Sequence, residues 1–159
     1  MKNKMRIKLL AMDVDGTLTD GRIYIGPDGE VMKAFDVKDG YGIVRFRQAG
    51  GIPVIITGRQ SRIVEQRCRE LGITELHQGV SDKLDCLMKL ASKYQLEREE
   101  IAYIGDDLND LSCIEYAGVS ACPGDAAEAV RSNCSYVCTA AGGRGAVREL
   151  LDTILKEKP

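Results

Sequence analysis

This chain of 159 residues reads as an α/β protein: a doubly wound parallel sheet with helices on both faces, a small β-hairpin flap and no cap domain. Three observations predict it. Short apolar runs alternate with segments of helical periodicity along the whole chain, and alternation of that kind builds a parallel, Rossmann-like sheet. Polar clusters follow several of the apolar runs; right-handed crossovers gather those strand ends on one edge, where open sheets bind ligands. Neither the gap from Asp15 to Thr57 nor that from Thr57 to Lys83 has room for a cap.

The first strand is Ile7 to Met12, a short apolar run ending at Asp13. Residues two apart in extended chain point the same way, so Asp13 and Asp15 reach one pocket, and Gly16 lets the backbone turn beyond them. Two alternating runs, Arg22 to Ile25 and Glu30 to Phe35, flank Pro27-Asp28-Gly29 and make a hairpin that projects as a flap. Asp39-Gly40 opens a helix over Tyr41 to Gln48, stopped by Gly50-Gly51. Pro53 to Ile56 is a buried strand ending in Thr57-Gly58-Arg59. Ser61 caps a helix from Arg62 to Leu71, and Gly72 terminates it.

Glu75 to Gln78 is a weak strand. Ser81-Asp82-Lys83 starts a helix whose Leu84, Leu87, Met88, Leu90 and Ala91 keep helical spacing. Ile101 to Ile104 is a strand followed by Gly105-Asp106-Asp107-Leu108-Asn109-Asp110. The remainder continues the alternation: strand Val119 to Cys122, short helix Ala126 to Arg131, strand Tyr136 to Thr139, and a final helix from Gly145 to Lys156.

Composition narrows the function. The formal net charge of -2 argues against nucleic acid or a membrane surface as the partner. Residues 1–159 are expected to form one domain with a real core. The stretch Met1 to Arg6 is basic, but the apolar run after it is too short for a secretion signal and is broken by Asp13 and Asp15. No segment is long enough to span a bilayer. The six cysteines lack a C-x-x-C pair and fall mostly in apolar patterns, so they read as small hydrophobes in a reducing, cytoplasmic compartment. Cys134 and Cys138 alone do not make a zinc site. His77, the only histidine, stands apart from every acidic cluster.

The strand ends collect Asp13, Asp15, Thr57, Lys83, Asp106, Asp107 and Asp110. Each has an ordinary structural reading as a turn residue, cap or solvated charge; their joint arrival at strand ends favours chemistry. Clustered carboxylates repel unless a cation compensates. Hard oxygen ligands suit Mg²⁺. With Mg²⁺ and Lys83 drawing on phosphoryl oxygens, Asp13 can attack a phosphate monoester in line, and Thr57 can donate a hydrogen bond to the transferring group. Asp15 is placed to protonate the leaving sugar oxygen and then to activate water.

Four ordered motifs, Asp13-Val14-Asp15-Gly16-Thr17, Thr57-Gly58-Arg59, Lys83, and Gly105-Asp106-Asp107 with Asp110, resemble those of the haloacid dehalogenase superfamily. That resemblance makes Asp13 the nucleophile and a metal ligand, Asp15 the acid/base with its carbonyl on the metal, Asp106 the third metal ligand, and Asp107 and Asp110 support. Outside the motifs, Leu18 to Gly21, Lys33 to Ile43, Val64 to Cys68 and Gly142 to Glu149 resemble the 3-deoxy-D-manno-octulosonate 8-phosphate phosphatase family. This family releases Kdo, an eight-carbon acidic sugar of lipopolysaccharide synthesis, and is capless and tetrameric.

The resemblance implies substrate contacts from Asp15, Asp36, Val37, Lys38, Asp39, Gly40, Arg59, Arg67 and Lys83, and from Arg144 entering an adjacent subunit's site. Taken alone, Arg67 reads as a solvated helix residue and Gly142 to Gly145 as a flexible connection. Relatives often carry Arg or Lys directly after the Asp-Gly-x-Gly-Ile run; here Val44 stands there and Arg45 follows, a turn of roughly 100° around a helix.

Competing readings are a phosphatase for a nine-carbon keto-deoxy sugar acid 9-phosphate, a signalling receiver domain and a non-catalytic assembly module. No lone aspartate ends the strand before Thr57, as a receiver's phosphoacceptor would, and intact motifs argue against the inert module.

Overall fold

The computed structural model describes residues 6–156; the expectation for the basic stretch at residues 1–5 lies outside them. Six strands pair in parallel: β1 (Leu9–Met12), β4 (Ile52–Ile56), β5 (Glu75–His77), β6 (Ile101–Ile104), β7 (Val119–Cys122) and β8 (Tyr136–Val137), in the order β5-β4-β1-β6-β7-β8. β1 sits between β4 and β6, with Met12 level with Ile55 and Ile104. The order reverses at β1, so the crevice beyond its carboxyl end is the switch point of the sheet. β2 (Tyr24–Gly26) and β3 (Gly29–Met32) form the separate antiparallel hairpin.

Burial on both faces explains the unbroken apolar strands. Leu10, Met12, Ile55 and Ile104 meet α1 (Val37–Gln48), α2 (Arg62–Leu71) and α6 (Ala146–Lys156) on one face. Leu9, Ala11, Val54, Ile56 and Tyr103 meet α3 (Lys83–Tyr94), α4 (Leu111–Tyr116) and α5 (Glu128–Arg131) on the other. The doubly wound fold class is as read from the sequence, and among the described residues no cap domain is present.

Local chemistry sets the helix ends. Ser61 caps α2 by accepting from Val64 N–H, and Gly72 closes it at φ 70°. Asp82 caps α3 through Asp85 N–H, which places Lys83 in its first turn. Four details correct the sequence reading. Helix α1 starts at Val37, before Asp39-Gly40, because the Asp36 carboxylate accepts from Lys38 and Asp39 N–H. Gly40 and Gly42 sit inside it because a Cβ would meet Arg67 Nη2 at 2.4 Å and Arg148 Cδ at 3.0 Å, so close packing outweighs their poor helix propensity. Helix α4 has too few residues to show a helical period and was not anticipated. Helix α5 and strand β8 are shorter than their apolar patterns suggest.

Candidate active site

Asp13 follows directly on β1, and its N–H donates to Ile104 O of the neighbouring strand at 3.0 Å. It is 6% exposed. Gly16, at φ +91°, turns the chain so that Thr17 Oγ1 donates to Asp106 Oδ1 at 3.3 Å; a Cβ on Gly16 would meet Asp106 Oδ2 at 2.0 Å. Lys83 arrives on the first turn of α3, 4% exposed, and donates to Asp13 Oδ1 at 2.9 Å and Asp110 Oδ1 at 2.8 Å. Asp110 is wholly buried and also accepts from Tyr103 Oη at 2.5 Å and from Asp106 and Asp107 N–H at 3.0 and 3.2 Å. It therefore shapes the loop after β6 as well as anchoring Lys83.

The electrostatics are lopsided. Carboxylate oxygens of Asp13, Asp106 and Asp110 lie within 4.8 Å of one another, facing one ammonium. Burial and the charge of Asp110 push the Asp13 carboxyl up, an effect Lys83 offsets only partly. Burial and the Asp13 carboxylate beside it push Asp106 up to about 8. Burial alone would lower Lys83, but Asp13 and Asp110 overcome it and hold the ammonium above its ordinary range. Such a cluster, short of positive charge and made only of oxygen donors, fits a hard divalent cation.

A cleft of about 160 Å³ opens over this cluster, lined by Asp13, Asp15, Thr57, Arg59, Asp106 and Asp107 among others. Thr57 is 3% exposed, tied by its N–H to His77 O at 2.9 Å. Arg59 stands half-exposed at the rim, its Nε 4.0 Å from Asp15 Oδ2. A larger groove of about 440 Å³ between β5 and α3 shares no lining residue with the cleft. Its Glu75 side chain is bound to His77, Lys93 and Tyr94, so it holds ion pairs rather than converging reactive groups.

A model of the haloacid dehalogenase-like hydrolase family matches residues 72–150. The chain is 48% identical over 156 residues to the 3-deoxy-D-manno-octulosonate 8-phosphate phosphatase of Escherichia coli strain B, covering 98% of this chain and 82% of that protein. It belongs to this phosphatase family.

Solved phosphatases of the family have the same architecture. The crystal structure from Yersinia pestis matches with a TM-score of 0.93 and 45% identity, over 96% of this chain and 83% of that one. The Moraxella catarrhalis phosphatase, crystallised in complex with magnesium ion, phosphate ion and KDO, matches with a TM-score of 0.92 and 46% identity, over 96% and 88%.

Against this family background the fold brings Asp13, Asp15, Thr57, Arg59, Lys83 and Asp106 together, and leaves the other candidates elsewhere. Asp36 is occupied as the α1 cap, and Val37 and Lys38 are exposed beside it. Asp39 is 1% exposed and accepts from Arg148 N–H at 2.8 Å, and Gly40 lies under Arg67, so neither lines the cleft. Arg67 is not a freely solvated charge: it packs 5.6 Å over Phe35 and donates to Asp36 O. Arg45, following Val44, pairs with Asp152 at 3.0 Å on α6, so α1 sends no arginine from this position toward the cleft.

Gly142 to Gly145 is not a loose connection. A Cβ on Gly142 would meet Gly16 O at 1.9 Å, and Gly143 N–H donates to Thr17 O at 3.0 Å, so the stretch braces the loop after β1. Arg144 is exposed and outside the chain's own cleft. Sequence reasoning missed Lys33 and Glu30 of the flap and Tyr103 of β6. No spacing could have found the first two, because the fold of the hairpin alone brings Lys33 to Asp15 and Glu30 to Lys33.

Proposed function

We propose that this chain is a Mg²⁺-dependent phosphatase that hydrolyses 3-deoxy-D-manno-octulosonate 8-phosphate to Kdo and phosphate, a step toward lipopolysaccharide. The observation that carries this is the convergence of Asp13, Asp15, Thr57 and Asp106 on one cleft, with buried Lys83 bound to Asp13, in a chain 48% identical to such a phosphatase.

In this reading a carboxylate oxygen of Asp13 bonds to phosphorus as the ester bond to the sugar oxygen breaks. Asp15 gives its proton to that departing oxygen, then takes one from water, which attacks the aspartyl phosphate, releases phosphate and restores Asp13. Lys83 keeps Asp13 oriented and adds positive charge where phosphoryl oxygens sit, and Thr57 donates a hydrogen bond to them. Asp13, Asp106 and the carbonyl of Asp15 would hold Mg²⁺, which when bound offsets phosphate charge. Asp107 and Asp110 support the loop.

Arg59 faces the acidic sugar from the rim. By the family resemblance the segment Asp36 to Gly40 and Arg67 contact the substrate although they lie outside this chain's own cleft, and Arg144 enters the site of an adjacent copy in a homotetramer. Supporting that assembly, the flap exposes Ile25 (73%), Val31 (59%) and Met32 (53%), an apolar surface that the described residues do not cover. Free cysteines support a reducing, cytoplasmic setting. One sheet with a core on each face supports residues 1–159 acting as one domain. The test is phosphate release from Kdo 8-phosphate beside a nine-carbon keto-deoxy sugar acid 9-phosphate, with a chelator control. Preference for the eight-carbon sugar is expected; comparable rates would sink the specificity, and no release from either the activity.

A further inference from the structure

We propose that Lys33, carried on the flap, is a positioning residue for Asp15, and that docking the flap and orienting this acid/base carboxylate are one event. The inference rests on the role given to Asp15 above. Its basis is a network of five side chains. The Lys33 side chain is fully buried, a costly place for an ammonium unless it is paired. Its Nζ lies 2.5 Å from Asp15 Oδ1 and 3.1 Å from Glu30 Oε2. Glu30 in turn accepts from the Ser61 hydroxyl through Oε1, and Arg59 Nη2 stands 3.9 Å from its Oε2.

Ser61 joins this network to the scaffold. It is the cap of α2, and its N–H donates to Gln78 Oε1 at 2.8 Å. A two-stranded hairpin is marginal by itself, and among the described residues its outward Ile25, Val31 and Met32 stay largely exposed. The polar network supplies that hold, with one end on the catalytic loop and the other on α2. Lys33 occupies Oδ1 of Asp15, which leaves Oδ2 as the oxygen for proton transfer, with Arg59 Nε 4.0 Å away. Burial works against charge on Glu30, yet Ser61, Lys33 and Arg59 hold its carboxyl below the ordinary range, consistent with a closed ionic cluster.

A latch that only stabilised the hairpin would also account for these contacts, so the experiment separates the two. Steady-state hydrolysis of Kdo 8-phosphate is measured for the parent, K33M, K33R, D15N and K33M/D15N, together with hydrogen exchange of the flap. If Lys33 works through Asp15, K33M lowers kcat roughly 10- to 100-fold and moves KM less than about threefold, and K33R restores part of the loss. In the D15N background K33M then changes kcat by less than about twofold. An unchanged kcat in K33M, or an equal loss with and without D15N, overturns the proposal.

Hydrogen exchange across residues 22–36 is expected to accelerate about tenfold in K33M; unchanged exchange overturns the coupling. This arm needs no turnover, so a parent enzyme that releases no phosphate counts against the phosphatase reading while the exchange still judges the latch. Should K33M fail to fold, E30Q takes its place in the same cycle. There a smaller loss of kcat that vanishes in D15N is expected, and a loss that persists overturns the proposal.

Discussion

Lys83 donates to Asp13 at 2.9 Å although 70 positions separate them in the chain, and both side chains are almost wholly buried. The same ammonium meets Asp110 at 2.8 Å, so a single lysine bridges two buried carboxylates. Removing it takes the cation from both and leaves Asp110 with neutral donors only. K83M is expected to lose roughly 3–5 kcal/mol of stability in metal-free buffer, the usual cost of breaking a buried pair from one side. Urea unfolding measures this; a variant as stable as the parent would remove Lys83 from the centre of the cluster.

Asp13 should show the opposite balance between stability and activity. Burial and Asp110 disfavour its charge, so D13N relieves repulsion while deleting the attacking oxygen. Phosphate release should fall below detection, while the metal-free melting temperature stays equal to the parent's or rises. An active D13N enzyme would refute the proposed nucleophile.

Mg²⁺ should stabilise the parent because it supplies positive charge to the acidic cluster of Asp13, Asp106 and Asp110, which Lys83 alone does not balance. At a hundredfold excess over its dissociation constant the gain is about 2.7 kcal/mol. Scanning calorimetry with and without Mg²⁺ reads it. In D106N the upward shift should shrink or vanish; an undiminished shift would place the ion elsewhere.

Acid sensitivity has a separate source at Glu75. Burial works against its charge, but Lys93, Tyr94 and His77 hold its carboxyl down at about 2, against an ordinary 4.5. A depressed folded-state value contributes stability that is complete above pH 4.5 and is lost as pH falls toward 2. E75Q should cost roughly 1–3 kcal/mol at neutral pH, and its stability should fall less steeply across that acid window. Urea midpoints from pH 7 down to pH 2.5 test this; parallel curves for the two proteins would contradict it.

The flap's outward face gives a test of assembly. Ile25 and Val31 are 73% and 59% exposed, and a glutamate at each would make their burial between copies costly. Light scattering should find the parent as a tetramer and I25E/V31E as a smaller species with an unchanged far-ultraviolet spectrum. A monomeric, fully active parent would overturn the tetramer.

Much of this was legible in the residue order. Apolar runs of strand length, the Pro27-Asp28-Gly29 turn, Ser61 and Gly72 as helix ends, and the polar clusters after Met12, Ile56 and Ile104 are local signals, and they place the sheet, the flap and the cleft. The start of α1 was misread because Asp36 competes with Asp39-Gly40 as a helix opener, and only packing against Arg67 and Arg148 shows why glycines can lie inside the helix.

The sequence by itself determined which groups reach the edge of the sheet, because a strand's period and a helix cap depend only on near neighbours. Tertiary structure decided how those groups pair. Lys83 is bound to Asp110 as well as Asp13, Lys33 reaches Asp15, and the glycines at 142 and 143 press against the loop after β1. Such pairings depend on the relative placement of elements far apart in the chain, and distances of a few ångströms between them are settled by packing, which no local pattern records.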